Sequence, residues 1–297
     1  MLPKEILALP PKRLSQTQRE AYFETGYLLI PSLIDEKWMD RLLSAMAEII
    51  EQSREVTQSD GKFDIEPDHS AAQPRLRRLS NPPHHHRVFQ DFSHEGPVVD
   101  IAEDLLGPSV RLHHSKLNFK WAHGGEEVKW HQDIQYWPHT DFSPLTIGIY
   151  LTDVDDEMGP MGVVPGSHKR ELFDLYDDQG TWSGAIREED IARARPQEAV
   201  FLKGPAGSVT VHNCCSVHGS MPNTSDRVRP LLLQTYAAGD SYPLLGVGTN
   251  GAAGKMNHVM VRGEKPRWMH IDNRRMPVAP DWFQGKYISI FEVQQRK

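Results

Sequence analysis

The sequence predicts a mainly β protein with flanking α-helices, of the sandwich or barrel kind. Two observations carry this. From residue 109 onward, short alternating or β-rich runs follow one another at 110–120, 127–132, 145–152, 161–165, 208–212 and 231–237, separated by Gly, Pro and Asp turns. Before residue 109, apolar residues recur at helical spacing instead. No linker, internal repeat or low-complexity tract interrupts the chain, so residues 1–297 read as one domain, with N-terminal helical decoration over about 1–108.

Pro3, Pro10 and Pro11 mark residues 1–15 as an irregular lead-in. Residues 16–25 have helical spacing around Tyr22 and Phe23, and Gly26 supplies the left-handed C-cap that a residue with a Cβ adopts only at a cost. Tyr27-Leu28-Leu29-Ile30 is a short apolar strand ended by Pro31. Asp35 caps a second helix running to about Glu51, whose residues Trp38, Leu42, Leu43, Met46, Ile49 and Ile50 share one face. Residues 53–73 are polar and loop-like, and His84-His85-His86 reads as a surface loop. A third helix spans 98–106 and stops at Gly107-Pro108; another is expected at 187–195. From about residue 240 the chain is rich in Gly and Asn, then basic at Arg262, Lys265, Arg267, Arg274 and Arg275.

Composition excludes several classes. With 297 residues the chain can bury a large core. The net charge is −7, so bulk electrostatics give no reason to expect nucleic-acid binding; the Arg75, Arg77, Arg78 cluster is too short for such an arm. No apolar run approaches the roughly 20 residues that cross a bilayer. The start, Met1-Leu2-Pro3-Lys4-Glu5, lacks the apolar core of a secretory signal. Cys214 and Cys215 are the only cysteines, and adjacent cysteines seldom bridge, so no disulfide framework exists. A soluble, cytosolic protein without membrane or nucleic-acid partners is expected.

Fifteen histidines is a high count, and the stretch His131-Gln132-Asp133 is the most informative use of them. A strand points residues two apart to the same face, so an imidazole and a carboxylate would converge. A third donor is expected from the run after the buried-strand pattern Val209-Thr210-Val211, where His212 and His218 compete. Two histidines and one carboxylate are the donor set of a non-haem Fe(II) site with open positions. His218 precedes Gly219, which allows close backbone approach. Arg229 follows His218 by eleven residues and Arg227 by nine. An arginine buried near a metal could hold a carboxylate through a two-pronged hydrogen bond that lysine cannot match. Arg229 suits this better, because Pro230-Leu231-Leu232-Leu233 leads straight into a core strand.

Together, His131-Gln132-Asp133, Pro165-Gly166-Ser167-His168 and His218-Gly219-Ser220-Met221-Pro222-Asn223-Thr224-Ser225 followed by Arg229 resemble the phytanoyl-CoA dioxygenase family. The resemblance runs from about Ser15 to Gln234 and is strongest over 115–235; Ser115-Lys116-Leu117-Asn118-Phe119-Lys120 is similar to a strand of the ectoine hydroxylases. It implies a double-stranded β-helix (jelly-roll, cupin-like) and an Fe(II)- and 2-oxoglutarate-dependent dioxygenase that uses O2, hydroxylates or otherwise oxidises a small organic molecule, and releases succinate and CO2. It implies His131, Asp133 and His218 as iron ligands and Arg229, with Ser220, as holder of the distal carboxylate of 2-oxoglutarate. It implies Asn118 and, loosely, Arg78 as further co-substrate contacts. Halogenating relatives carry a small residue in place of the carboxylate, so Asp133 implies hydroxylation or a related oxidation. One departure is Glu157-Met158-Gly159-Pro160-Met161, where many members carry Asn-Gly; a changed loop away from the ligands is expected.

Tyr136 and Trp137 follow the ligand stretch and are the expected substrate contacts. Trp121, Trp130, His139 and Met161 lie near it in sequence but read as core, and Arg75 and Arg77 as a solvated face. No basic stripe suits a CoA tail, so an amino-acid derivative, organic acid or natural-product intermediate is expected as substrate. The alternatives are a metal-free or zinc-bound cupin-type ligand-binding protein and a metal-dependent hydrolase or isomerase. Neither has a use for Arg229 and Ser220 as a carboxylate clamp beside the metal.

Overall fold

The computed structural model describes residues 1–244, 259–277, 280 and 290–295. Its N-terminal part runs α1 (Pro3–Leu7), α2 (Gln16–Thr25), β1 (Tyr27–Ile30), α3 (Glu36–Gln52), β2 (Phe63–Ile65), β3 (Leu76–Ser80), α4 (Arg87–Glu95) and α5 (Pro97–Leu106). Then follow β4 (Val110–Lys120), β5 (Val128–His131), β6 (Leu145–Tyr150), β7 (Met161–Val163), α6 (Ile191–Ala194), β8 (Val200–Leu202), β9 (Val209–Asn213), β10 (His218–Ser220), β11 (Arg229–Ala238), β12 (Val259–Arg262) and α7 (Ile290–Gln294).

Local chemistry explains the early elements. The Ser15 hydroxyl accepts from Gln18 N and the Gln18 side chain returns to Ser15 N, so α2 begins with a capping box. It ends at Gly26, whose φ of 82° is left-handed; a Cβ there would meet Ser216 Oγ at 2.8 Å and run into the His168 ring. Asp35 caps α3 by accepting from Trp38 N at 2.8 Å, and Met39, Leu42, Ala45 and Ile49 form its buried face. The lead-in is not wholly irregular: Pro3 occupies the first turn of α1, where its missing N–H costs nothing.

The strands form two antiparallel sheets. The larger has the order β1-β9-β6-β11-β4-β3-β2, with β12 also paired to β4; the smaller has the order β5-β10-β7-β8. One face of the large sheet packs on the helices through Leu112, Leu117, Phe119, Leu232 and Tyr236, together with Ile49, Phe92 and Ile101. The other face turns towards the small sheet, and a cavity of about 100 Å³ is lined by residues of both. In strands, alternation separates the two faces. On β4 the apolar Leu117 alternates with the cavity-lining Lys116 and Asn118, while Phe119 belongs to the apolar layer and also borders the cavity.

Two expectations change. The first 108 residues do more than decorate the domain: β1 pairs with β9 from Tyr27↔His212 to Ile30↔Val209, and β3 pairs with β4 at Arg78↔Asn118. Part of the polar stretch 53–73 is the strand β2, because Phe63 is buried and pairs with Leu79. The strands β8, β10 and β12 were not expected from periodicity, because three or four residues are too few to show a period; the nine-residue helix α4 was not expected either. His84-His85-His86 is half-buried, with His86 capping α4 through Nδ1 and meeting Glu48 at 3.1 Å.

The N-terminal segment is tied down by one buried carboxylate. Asp104 of α5 accepts from the backbone N–H groups of Lys12, Arg13 and Leu14 at 2.6, 2.8 and 2.7 Å. Buried Arg19 completes the tie, donating to the carbonyls of Asp104 at 3.1 Å, Leu9 at 2.8 Å and Ile6. Replacing Asp104 by alanine strands three donors at once. Asp104→Ala is expected to cost about 3 kcal/mol in urea or thermal unfolding, and an unfolding midpoint equal to that of the wild type would contradict this account.

Candidate active site

The site grows from a strand pair. His218 on β10 stands directly opposite His131 on β5. Their rings lie 4.1 Å apart between centroids. Close approach here needs Gly219, because a Cβ at that position would meet Val128 O at 2.8 Å and the Trp130 ring at 3.2 Å. Each histidine is fixed in one tautomer: His131 Nδ1 donates to Lys129 O at 2.8 Å and His218 Nδ1 to Ser216 O at 3.0 Å. A carbonyl only accepts, so Nδ1 carries a proton in each, and in the neutral imidazole it is Nε2 that offers the lone pair.

Asp133 comes from a different local structure than alternation on a strand suggests. β5 ends at His131, and Asp133 opens a single 3-10 turn, Asp133–Gln135. Gln132 is still extended, at φ −127° and ψ 127°, so the same-face relation survives. Its buried amide points away and anchors the segment, donating to Cys215 O at 2.8 Å and accepting from Phe173 N at 2.9 Å. Asp133 Oδ1 then lies 3.6 Å from His131 Nε2 and 4.0 Å from His218 Nε2. The donor atoms of these three residues all fall within 4.8 Å of one another, a set that fits a single metal ion.

His212 is the fourth member of the cluster, and it sits behind the carboxylate. Its Nε2 is 3.5 Å from Asp133 Oδ2, the oxygen turned away from the other two histidines. Burial alone would raise the Asp133 carboxyl. Contacts with His131 and His212 and the nearness of His218 outweigh it and hold the group well below the usual carboxylate range. Burial, then the neighbouring His131 and His212, keeps His218 neutral by pushing it well down. A neutral imidazole and an ionised carboxylate are the protonation states a metal requires.

Deeper in the cavity, two cations face each other. Arg229 at the start of β11 pairs in register with Lys120 at the end of β4. Both are buried. Lys120 Nζ donates to Ser220 Oγ at 2.8 Å, to Ser220 O at 3.3 Å and to Met221 O. Arg229 donates one bond, Nη1 to Gly159 O at 2.8 Å, and its Nε has no partner. Burial and then the Arg229 charge push the Lys120 ammonium well below its usual value, and burial brings Arg229 down to about 10. Two buried cations in register, one with an unpartnered Nε, are costly unless an anion meets them.

These observations meet the comparisons with known proteins. A family model described as Phytanoyl-CoA dioxygenase (PhyH) matches residues 22–231. The chain belongs to the phytanoyl-CoA dioxygenase family. A Stutzerimonas stutzeri protein described as a probable alpha-ketoglutarate-dependent hypophosphite dioxygenase is 35% identical over 239 residues, covering 80% of this chain and 83% of that one. An ectoine dioxygenase of Stutzerimonas stutzeri (strain A1501) is 29% identical over 231 residues, 73% and 74% of the two chains. Among solved structures, iron-bound EctD from S. alaskensis superposes with a TM-score of 0.69 at 22% identity, covering 89% of each chain. The carbocyclase SnoK from nogalamycin biosynthesis does so with 0.66 at 24%, covering 86% of this chain and 98% of its own; both likenesses bear on the fold, a jelly roll. As a member of this family, the protein is an Fe(II)- and 2-oxoglutarate-dependent dioxygenase, an oxidoreductase that uses O2.

This dioxygenase brings His131, Asp133, His218, Ser220, Asn118, Arg229 and Tyr136 to one cavity. Tyr136 presents its ring edge to His131, with centroids 6.0 Å apart, and donates its hydroxyl to Gly184 O at 2.8 Å. Arg227 is outside: it is exposed and pairs with Asp155. Arg78 does not line the cavity either; its Nη2 donates to Asp64 at 3.3 Å, one strand behind Asn118. Trp137 is buried and does not itself line the cavity; its ring lies 5.3 Å from His113 and 5.8 Å from His114, which does. Of the flanking residues, Met161 lines the cavity, while Trp121, Trp130 and His139 do not. Arg75 and Arg77 are ion-paired with Asp68 and Glu66. The loop that departs from the family pattern reaches the site after all, because the Gly159 carbonyl receives Arg229. Cys214 and Cys215 are free and buried.

Lys116, Lys120, Ile290 and Phe291 also line the cavity, and sequence reasoning missed their place there. Lys116 is half-buried, and burial, opposed in part by Asp133, takes its ammonium down to about 8. Its charged form is therefore destabilised by folding throughout the pH range below about 8. That penalty fades as pH rises from the folded towards the unfolded value. Lys116→Met should therefore raise the thermal midpoint of the metal-free protein at pH 7, by roughly 1–2 kcal/mol of stability. The difference should shrink as the pH approaches about 10.5, the ordinary lysine value. A destabilised Lys116→Met at pH 7, or a difference independent of pH, would count against this picture.

Proposed function

We propose that His131 Nε2, Asp133 Oδ1 and His218 Nε2 hold Fe(II), and that Arg229, Lys120 and Ser220 receive the distal carboxylate of 2-oxoglutarate. The observation that carries this is the pair of buried cations lining the same cavity as a two-histidine, one-carboxylate cluster. A ligand-binding module or a hydrolase needs no such pair. When bound, iron and 2-oxoglutarate supply the oxidation of a substrate C–H bond by O2, with release of succinate and CO2. The chain's own residues position and desolvate. Lys129 O and Ser216 O orient the two imidazoles. His212 Nε2 lies 3.5 Å from Asp133 Oδ2, while Oδ1 is the oxygen nearer His131 and His218. Asn118 Oδ1, buried without a partner, faces the co-substrate from the middle of β4. Phe291 and Ile290 of α7, with Val128 and Met161, give the cavity its apolar wall and exclude water.

The substrate is a small molecule. The relatives are named for hypophosphite and for ectoine, both small, and the cavity of about 100 Å³ agrees with them. Asp133 fills the place a halide would need, which supports hydroxylation or a related oxidation. No helix among the described residues is long and apolar enough to cross a membrane. Two buried free thiols support a cytosolic location.

Fe(II) binding and 2-oxoglutarate-dependent succinate release test the assignment together. His131→Ala and His218→Ala should each lose iron and turnover while remaining folded by circular dichroism; His212→Ala should keep measurable iron binding. Arg229→Lys retains charge but not the planar fork. Its KM for 2-oxoglutarate should rise roughly 10- to 100-fold, the loss of one charge-assisted bond, with iron affinity little changed. Arg227→Lys should leave KM as it is. Iron retained in His218→Ala but lost in His212→Ala would reassign the third ligand.

A further inference from the structure

Lys116 is the one cavity-lining cation that the reading above leaves without a task. It lies on β4 two residues before Asn118, opposite Leu233 of β11 on one side and Ser80 of β3 on the other. It shares the cavity with Asp133, and its ammonium makes no hydrogen bond or ion pair with any described residue. The nearest charges act on it oppositely: Asp133 attracts it and Arg78 repels it. The cavity residues one step further along the sheet, His114, Thr146 and Thr235, bring no negative charge. An unpartnered ammonium in such a place is costly unless something arrives to meet it.

The co-substrate does not reach it from the far end. Lys116 is four residues from Lys120, about 13 Å along an extended strand. A five-carbon dicarboxylate seated on Arg229 and Lys120 keeps its distal carboxylate at that end. Charge points the same way. Iron(II), the Asp133 carboxylate and 2-oxoglutarate together carry one negative charge, whereas Arg229, Lys120 and Lys116 carry three positive ones. The loaded site is thus left with two positive charges in surroundings poor in water, where each counts for far more than at the surface.

We propose that Lys116 is the anchor for an anionic substrate, a small molecule whose carboxylate, phosphonate or comparable oxoanion pairs with the Lys116 ammonium beside the metal. This rests on the reading of the site given above and narrows it to one chemical class. The bond to be oxidised then lies within reach of the metal because the anion is held on the β4 wall. Free of substrate, Lys116 is half-buried and has no hydrogen-bond or ion-pair partner among the described residues; the arriving anion supplies one, so binding and charge neutralisation are one event.

The test is a binding measurement that needs no turnover. Anaerobic Fe(II)-loaded protein with 2-oxoglutarate is titrated with hypophosphite, formate, acetate and methylphosphonate, with acetamide as the neutral control. The readout is the visible charge-transfer absorption of the iron–2-oxoglutarate complex, with the thermal midpoint as a second measure. In the wild type at least one anion should shift the band saturably, and acetamide should not. Lys116→Met should weaken that anion roughly 10- to 100-fold while forming the 2-oxoglutarate band at the wild-type concentration. Lys116→Arg, which keeps the charge, should recover part of the affinity. Three results overturn the proposal: no anion binds the wild type, Lys116→Met binds the anion as well as the wild type, or Lys116→Met loses affinity for 2-oxoglutarate instead. The last would give Lys116 to the co-substrate. If the wild type forms no band with 2-oxoglutarate at all, the reading of the site itself fails, and this inference with it.

Discussion

The antiparallel pairing of β4 with β11 is the constraint on which the site depends. It runs from Arg229↔Lys120 through Leu231↔Asn118 and Leu233↔Lys116 to Thr235↔His114. Because side chains alternate across a sheet, this register decides as a block which residues enter the cavity and which pack on the helices. A slip by one residue would send Leu117 into the cavity and Lys116 and Lys120 into the apolar layer. Leu232 and Leu117, on the opposite face, hold the register by burial against α3, α4 and α5. The helical layer therefore matters to the chemistry at one remove, by making every other register more costly.

The same register creates an electrostatic problem that the loaded enzyme solves. Lys120 and Arg229 repel each other where water is scarce, and Asp133 is held ionised by surrounding histidines against a large desolvation cost. Each arrangement is unfavourable for the empty fold and suited to an ion of opposite sign: a cation at Asp133, a carboxylate at Arg229. Binding sites are commonly less stable than the scaffold around them, because groups arranged for a ligand are imperfectly arranged for one another. Here the scaffold compensates with devices such as the Asp104–Arg19 tie and the buried face of α3.

Much of this was legible in the sequence, for identifiable reasons. His131-Gln132-Asp133 and the apolar lead into Arg229 are local patterns, and local patterns survive folding. Capped helices such as α2 and α3 announce themselves through Ser15, Gly26 and Asp35. The choice of His218 over His212 rested on resemblance, since both follow the same strand pattern; the structure brings both to Asp133, His218 nearer one oxygen and His212 nearer the other, with their rings 4.4 Å apart. Lys116 and Lys120 were hidden by an ambiguity of alternation: a strand with one polar face reads as half-solvated, whether that face meets water or a cavity. Ile290 and Phe291 reach the cavity from a distant helix of five residues, and no spacing rule predicts that contact. Arg78 and Trp137 do not themselves line the cavity: Arg78 donates to Asp64, and Trp137 packs on His113 and the cavity-lining His114.

The central claim is that one buried dicarboxylate joins the metal cluster to the cation pair. A crystal structure of the protein with Mn(II), a redox-silent stand-in for iron, and 2-oxoglutarate measures this directly. The account predicts one metal ion bonded to His131, Asp133 and His218, with the distal carboxylate of 2-oxoglutarate between Arg229, Lys120 and Ser220 and within hydrogen-bond distance of each. A distal carboxylate bound at Lys116, or a metal bonded to His212 in place of His218, would contradict it.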